Sequence, residues 1–300
     1  MLENANLDAA TLLKALTENI ADSIYFKDLQ CRILWASRKM ATSLGCEDPT
    51  EIIGKTDGEL FGEEFGQKTR IDDLRVMETA QPIIGLVESR TLPNGEINWT
   101  STSKLPIRDE EGKVIGLLGI SREINELMRA EQDLHYMATH DILTSLVNRF
   151  FFLDCLESAL RRARRKKTML AILFIDLDKF KSINDRWGHD VGDLALKQVA
   201  GRLSSAVRDV DVIARMGGDE FTVLLEELSN PEDALSVAEK VRETIAQELT
   251  GLPTGARVTA SIGVSLFPLH AESSAMLLRI ADRAMYQAKQ RQDSCVLYAA

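Results

Sequence analysis

The pentapeptide Gly217-Gly218-Asp219-Glu220-Phe221 lies between two apolar runs, Val212-Ile213-Ala214 and Thr222-Val223-Leu224-Leu225, and this arrangement predicts a β-hairpin. Tight turns need backbone angles that glycine adopts without strain, and a turn bare of side chains lets a polyphosphate approach the main chain. Two carboxylates just past such a turn suit a hard cation. Taken alone, the segment can also be read as an ordinary Gly-Gly hairpin with solvated acids. Its partners elsewhere in the chain decide between the two.

A length of 300 residues with 45% hydrophobic content supports two domains with sizeable cores. The longest apolar runs, Met169 to Ile175 and Val114 to Ile120, are strand-sized and too short to span a bilayer. Asn4 to Leu16 is amphipathic and lacks the basic start of a secretory signal, so a cytoplasmic location without membrane insertion is expected. Cys31, Cys46, Cys155 and Cys295 are scattered, with no Cys-x-x-Cys pair, and are expected as reduced, packed thiols. A net charge of −10 argues against a nucleic-acid partner. The basic run Arg161 to Lys167 reads as a solvated helix end, where cations favour the C-terminal dipole.

Residues 8 to 122 read as α+β. A helix is predicted from Asp8 to Ile20, strands at Ser23 to Lys27 and Arg32 to Ala36, and polar helical stretches to about Thr79. Strands at Ile84 to Leu92, Ile97 to Pro106 and Val114 to Ser121 follow, joined by the turn signals Asn94-Gly95 and Glu111-Gly112. The expected product is a small antiparallel sheet with helices on one face. That order, with Ile33-Leu34-Trp35-Ala36-Ser37, Glu51-Ile52-Ile53-Gly54-Lys55-Thr56-Asp57 and Gly119-Ile120-Ser121-Arg122-Glu123-Ile124, resembles a PAS sensory domain. The resemblance implies a pocket between sheet and helices that takes a small ligand or cofactor, or a domain that only dimerises. His135, His140, His189 and His270 all lie outside the segment, which disfavours a His-ligated haem. Cys31 follows Gln30, outside the Asn-Cys-Arg setting of flavin-adduct photosensors, and Trp35 and Trp99 are expected as core or sheet-face aromatics. The PAS ligand and the sign of its control stay open.

From Glu123 to His140 apolar residues fall at heptad spacing, along Ile124, Leu127, Glu131, Leu134 and Ala138 or along Leu127, Ala130, Leu134 and Met137. The pattern predicts a signalling helix over residues 123 to 140 that can form a parallel coiled coil in either register. A plain connecting helix is the alternative. In the first reading, PAS signals shift a dimer between the two seams and realign its C-terminal halves.

Residues 141 to 300 alternate helix and strand. Helices are predicted at Asp141 to Arg165, Asp190 to Val207, Pro231 to Gln247 and Ser273 to Gln290. Strands are predicted at Met169 to Ile175, in the hairpin, at Ala256 to Leu266 and at Cys295 to Tyr298, giving a ferredoxin-like α/β sandwich with an antiparallel sheet. The strand ending at Asp176-Leu177-Asp178 can lie beside the hairpin and bring Asp176 near Asp219 and Glu220. Three converging acids repel unless a cation neutralises them, and magnesium, with manganese as the alternative, takes oxygen ligands shared with substrate phosphates. Asp176 is the expected ligand, helped by the Leu177 carbonyl, with Asp178 in a hydrogen-bonding role. Lys181 is a flexible point charge suited to a triphosphate. Asn184 and Asp193 offer the amide and carboxylate that read a guanine edge, although a turn cap and a first-turn acid are the plain readings of each, and His189 reads as a packed or capping histidine.

These motifs together resemble a GGDEF-type diguanylate cyclase domain over residues 141 to 291. Asp141-Ile142-Leu143-Thr144-Ser145-Leu146-Val147-Asn148-Arg149 resembles its opening motif, Asp176 to Asp193 its metal and guanine motif, and Gly217 to Phe221 its signature turn. Ser261-Ile262-Gly263-Val264 and Ala281 to Lys289 resemble its late strand and helix. The resemblance implies condensation of two GTP to cyclic di-GMP and two pyrophosphates, each protomer of a homodimer presenting one GTP. It implies metal ligation by Asp176, the Leu177 carbonyl and Asp219, guanine contacts from Asn184, His189 and Asp193, and phosphate contacts from Lys181 and Lys289. Asp219, with Glu220 beside it, would help deprotonate the attacking 3′-hydroxyl while Lys181 stabilises charge at the α-phosphate; metal activation of the hydroxyl alone is the alternative.

Arg208-Asp209-Val210-Asp211, five residues before Gly217, matches the family's Arg-x-x-Asp product-inhibition site, with a surface ion pair as the plain reading. One departure stands out. Where the family continues into Gly-Arg-Asn, this chain has Gln292-Asp293-Ser294, so Asp293 replaces a phosphate-binding arginine, lower GTP affinity is expected, and Arg291 is the nearest substitute. A catalytically silent GTP or cyclic di-GMP receptor is therefore the alternative to a PAS-regulated cyclase, and an adenylyl-type enzyme of the same fold is disfavoured by Asn184 and Asp193.

Overall fold

In the computed structural model, which describes residues 8–92, 94–251, 253, 257–291 and 295–297, the chain divides into two units, Met1–Glu131 and Gln132–Ala300. The N-terminal unit runs through helix α1 (Ala9–Asn19), strands β1 (Ser23–Lys27) and β2 (Ile33–Ala36), helix α2 (Arg38–Ser43), a 3-10 turn (Pro49–Ile52), and helices α3 (Asp57–Phe61) and α4 (Glu63–Thr79). Strands β3 (Ile83–Thr91), β4 (Ile97–Arg108) and β5 (Val114–Glu123) complete an antiparallel sheet of order β2-β1-β5-β4-β3. This is the PAS architecture that the sequence resembles.

Two features of this unit do not follow the usual apolar interior. Gly66 of α4 approaches Gly58 of α3 so closely that a Cβ on Gly66 would stand 2.3 Å from the Gly58 Cα. Beneath them lies a buried network of four charges. Lys27 Nζ meets Asp57 at 2.5 Å and Asp73 at 2.6 Å, and Lys104 Nζ meets the other oxygen of Asp73 at 2.6 Å. Two ammoniums and two carboxylates balance, which is the condition under which buried charge is tolerated. Burial works against the Lys27 charge, yet Tyr25, Asp57 and Asp73 hold its pKa above the ordinary lysine value.

Helix α5 (Asn125–Thr139) crosses the division and has no buried side chain among those described. The C-terminal unit continues with β6 (Val147–Asn148), α6 (Arg149–Lys166), β7 (Met169–Asp178), α7 (Phe180–Trp187), α8 (His189–Ala206), the hairpin β8 (Val212–Gly217) and β9 (Glu220–Leu228), α9 (Pro231–Ala246), β10 (Thr259–Phe267), α10 (Ser274–Arg291) and β11 (Cys295–Leu297). Its sheet has the order β11-β10-β7-β9-β8-β6. The inner strands β10-β7-β9-β8 form the split βαβ arrangement of ferredoxin-like folds.

Period-two alternation along β7 builds a core on each face. Ala171, Leu173, Ile175 and Leu177 pack with α8 and α9, while Leu170, Ile172 and Phe174 pack with Phe152 and Leu156 of α6 and Ala281 and Met285 of α10. The helix expected over Asp141 to Arg165 is corrected. Asp141 opens a turn in which Ser145 takes φ 59°, and the helix begins only at Arg149, with the Asn148 side chain accepting from the Phe151 N–H. An asparagine cap outcompetes helix continuation there. The basic run closes α6: Arg162 pairs with Glu226 and Lys166 with Glu227. Helix α7, not foreseen as a separate element, ends at Gly188 with φ 87°.

Cys31, Cys46 and Cys155 are free thiols. Among the described residues no helix is long and apolar enough to cross a membrane.

Gly263 of β10 sets how closely α10 lies on the sheet, because a Cβ there would stand 2.0 Å from the Ala281 carbonyl oxygen and 2.2 Å from the Met285 nitrogen. Gly263→Ala is expected to push α10 outward and cost about 1–3 kcal/mol or more in urea denaturation followed by circular dichroism.

Candidate active site

Strand β7 continues through Asp178, so Asp176 and Asp178 fall on the face roofed by α6 and α10. Asp176 pairs in register with Glu220 of β9, and the Leu177 N–H donates to the Asp219 carbonyl at 3.2 Å. The strand end and the hairpin turn are thereby stitched together. Lys289, projecting from α10, donates to Asp176 Oδ1 at 2.5 Å. Asp178 accepts from the hydroxyls of Thr259 and Ser261 on β10, both at 2.7 Å, which braces the strand end.

The charges in this corner are unequal. Burial raises the pKa of Asp176 above the ordinary carboxylate value, Lys289 pulls it back, and Asp219 and Asp178 raise it further. Glu220 is raised by burial and by Asp176, Asp282 and Asp219, with Arg149 opposing. Burial works against the Lys289 charge, but Asp176, Asp219 and Asp178 hold its pKa above the usual lysine value. Among the described residues, no group of three or more His, Cys, Asp or Glu side chains stands as a ready-made metal cage. What the corner offers instead is the oxygens of Asp176, Asp219 and the Leu177 carbonyl, with one ammonium now offsetting their repulsion. That donor set fits magnesium, which takes few protein oxygens and completes its shell from phosphates and water.

The turn is held from behind. Gly217 and Gly218 adopt φ 144° and 55°, conformations closed to most side chains. Arg215 donates from Nε and one terminal nitrogen to the Gly218 carbonyl at 3.0 and 2.7 Å, and from the other nitrogen to Asp141 at 3.1 Å. Burial alone would raise the Asp141 pKa, but hydrogen bonds from Thr144 and Arg215 bring it below the ordinary value. One planar guanidinium thus ties the loop at Asp141 to the glycine turn. Sequence reasoning did not single out Arg215, Arg149 or Asp282.

Helices α7 and α8 carry the nucleotide-reading candidates. Lys181, His189 and Asp193 are exposed, and Asn184 is half-buried. The Asn184 side chain lies over Gly192, where a Cβ would meet Asn184 Oδ1 at 1.9 Å, so only glycine at 192 admits the amide beside Asp193. Among the described residues Asn184 Oδ1 is buried without a hydrogen-bond partner. Arg208 and Asp211 are not brought to this corner. They precede β8 and stand at the end of the hairpin away from its turn, roughly 17–20 Å along the strand. Asp211 accepts from the backbone N–H groups of Arg208 at 3.0 Å and Glu226 at 3.4 Å, while the Arg208 side chain is exposed. Gln292, Asp293 and Ser294 lie outside the described residues, and Arg291 is described only as the last residue of α10.

A family profile described as "Diguanylate cyclase, GGDEF domain" matches residues 138–295, and one described as "PAS fold" matches residues 17–129. Diguanylate cyclase TpbB of Pseudomonas aeruginosa is 46% identical over 160 residues, which make up 53% of this chain and 37% of TpbB. The chain therefore spans about a third of that relative's length. A diguanylate cyclase of Vibrio cholerae is 31% identical over 249 residues, 82% of this chain and 77% of the relative. The solved GGDEF domain of the Pseudomonas aeruginosa protein is similar with a TM-score of 0.51 at 44% identity, covering 53% of this chain and 94% of that one.

The raised Glu220 pKa has a measurable consequence. A carboxyl that binds its proton more tightly folded than unfolded makes the folded state lose stability as pH rises from the ordinary value of 4.5 through the raised one. Glu220→Gln is expected to remove that loss, so metal-free variant and wild type should differ in melting temperature at neutral pH, the variant being higher, and converge below the ordinary carboxylate range.

Proposed function

This chain belongs to the GGDEF family of diguanylate cyclases, and from that premise we propose that it condenses two GTP molecules into cyclic di-GMP and two pyrophosphates. The observation that carries the reading is the convergence of Asp176, Asp219 and Glu220, opposed by Lys289, at a turn bare of side chains. Such a turn admits a triphosphate against the main chain. Asn184, over Gly192, and Asp193, the next residue, offer an amide and a carboxylate, the complement of guanine O6 and of its N1 and N2 hydrogens. Lys181 on the first turn of α7 and Lys289 supply ammoniums to the phosphates.

Magnesium, or manganese in its place, bound by Asp176, the Leu177 carbonyl and Asp219, would polarise the phosphates and lower the pKa of the attacking hydroxyl. In each half-reaction a 3′-hydroxyl forms a bond to the α-phosphorus of the other GTP as the α–β bridging bond breaks and pyrophosphate leaves. The hydroxyl proton passes to the Asp219–Glu220 pair, where burial and the neighbouring carboxylates raise the Glu220 pKa and with it that carboxylate's affinity for a proton. Lys181 meets the charge developing at the α-phosphate.

One hairpin presents one GTP, so the reaction needs a second copy of the chain. The exposed Leu127, Leu134 and Met137 on α5 form a seam for that pairing, through which the PAS unit would control alignment of the two sites. Arg208 and Asp211 would bind product and slow the enzyme. A cytoplasmic location gives access to GTP.

Incubation with GTP and Mg2+ followed by chromatography is expected to yield cyclic di-GMP, and Asp219→Ala to lower its rate of formation by about a hundredfold or more. Nucleotide binding without turnover in the wild type would point to a silent receptor. Arg208→Ala is expected to raise the inhibitory concentration of added cyclic di-GMP by about tenfold, read from progress curves.

A further inference from the structure

The N-terminal unit encloses a cavity of about 260 Å³ between the inner face of its sheet and helices α3 and α4. Five charged side chains line it: Asp57, Glu88, Arg90, Lys104 and Glu123. Three are spoken for. Asp57 is paired with Lys27, Lys104 with Asp73, and Glu123 with Lys39 at 3.1 Å. Glu88 and Arg90 remain.

Glu88 is 4% exposed; among the described residues its Oε1 accepts no hydrogen bond, and its ion pair with Lys68 is a loose one, 3.7 Å long and made by an ammonium largely in solvent. A buried carboxylate left in this state is costly unless something donates to it. Arg90 lies half-buried with its guanidinium carbon 4.7 Å from the centre of the Phe61 ring, and among the described residues no carboxylate hydrogen-bonds to it. Burial accordingly lowers its pKa, with Glu123 opposing. The two residues are i and i+2 on β3, so they share the inner face about 6.5 Å apart along the strand. No ion pair joins them. The same cavity is walled by Tyr25, Met40 and Phe65.

We infer that this cavity is a binding site for a small zwitterion with an apolar side group, an apolar α-amino acid, whose ammonium meets Glu88 and whose carboxylate meets Arg90. One molecule of this class gives Glu88 a direct donor and Arg90 a carboxylate at once, adds no net charge to the cavity, and places its apolar group against Met40 and Phe65. A ligand of a single sign would leave one of the two without a hydrogen-bonding counter-charge. A purely apolar ligand would leave both.

The test is calorimetric titration of the full-length protein with L-phenylalanine, L-methionine and L-leucine, followed by the N-acetyl and carboxamide form of each. The expected result is saturable one-to-one binding of at least one amino acid, weakened about tenfold or more by either cap. Glu88→Gln and Arg90→Gln should each weaken the uncapped ligand to a similar degree, with circular dichroism confirming that the variant is folded. The capped-ligand series on the wild type stands by itself should a variant fail to fold. Absence of binding by all three amino acids overturns the inference, as does equal binding of the capped forms or unchanged affinity in a folded Glu88→Gln protein. The readout is heat of binding to the N-terminal unit, so failure here is separate from failure of the cyclase reading.

Discussion

Like-charge repulsion at the open end of β7 is the constraint around which the C-terminal unit is arranged. Asp176, Asp219 and Glu220 come together because the Asp176–Glu220 register and the Leu177-to-Asp219 hydrogen bond leave them no alternative. The protein tolerates this with one ammonium, Lys289, held at 2.5 Å from Asp176. Its position depends on α10 lying hard against β10, which in turn depends on Gly263 lacking a side chain. The turn itself is kept open by the absence of side chains at Gly217 and Gly218 and kept rigid by Arg215. Electrostatic tension and rigid support together are what a phosphoryl-transfer site requires, since catalysis there is mostly positioning and charge stabilisation.

The N-terminal unit handles buried charge differently. Lys27, Asp57, Asp73 and Lys104 close on one another within the protein and need nothing from outside. On the same sheet face Glu88 has only the loose ion pair with Lys68, and Arg90 stacks on Phe61 with no carboxylate hydrogen-bonded to it among the described residues. Both units thus contain charges that the fold gathers and only partly offsets, Asp176 by Lys289 and Glu88 by Lys68.

Much of this was legible from local pattern. The hairpin was visible because two glycines between apolar runs leave few other conformations, and Asp176 was placed at a strand end because the apolar run stops there. The split βαβ order and the antiparallel N-terminal sheet followed from alternation of periods. Helix α6 was misjudged at its start, since the apolar residues of Asp141 to Val147 fit a helical pattern while the Ser145 backbone and the Asn148 cap override it. Arg215 carried no signal of its own: its partner Asp141 lies 74 residues away, and an arginine in an alternating strand reads as solvent-facing. Lys27 and Lys104 were unreadable for the same reason, as charged residues whose neutralising partners come from other elements.

The sequence by itself determined the order of elements, the glycine turn and the kinds of side chain available at each position, because these depend on backbone preference and short-range periodicity. Only the tertiary structure decided which charges meet. Lys289 and Asp176 are 113 residues apart, Arg215 reaches both Asp141 and the turn, and Glu88 meets the largely exposed Lys68 at 3.7 Å where Asp73 meets two buried lysines at 2.6 Å. Coulomb energy depends on distance and burial, and neither is a property of the chain until it has folded.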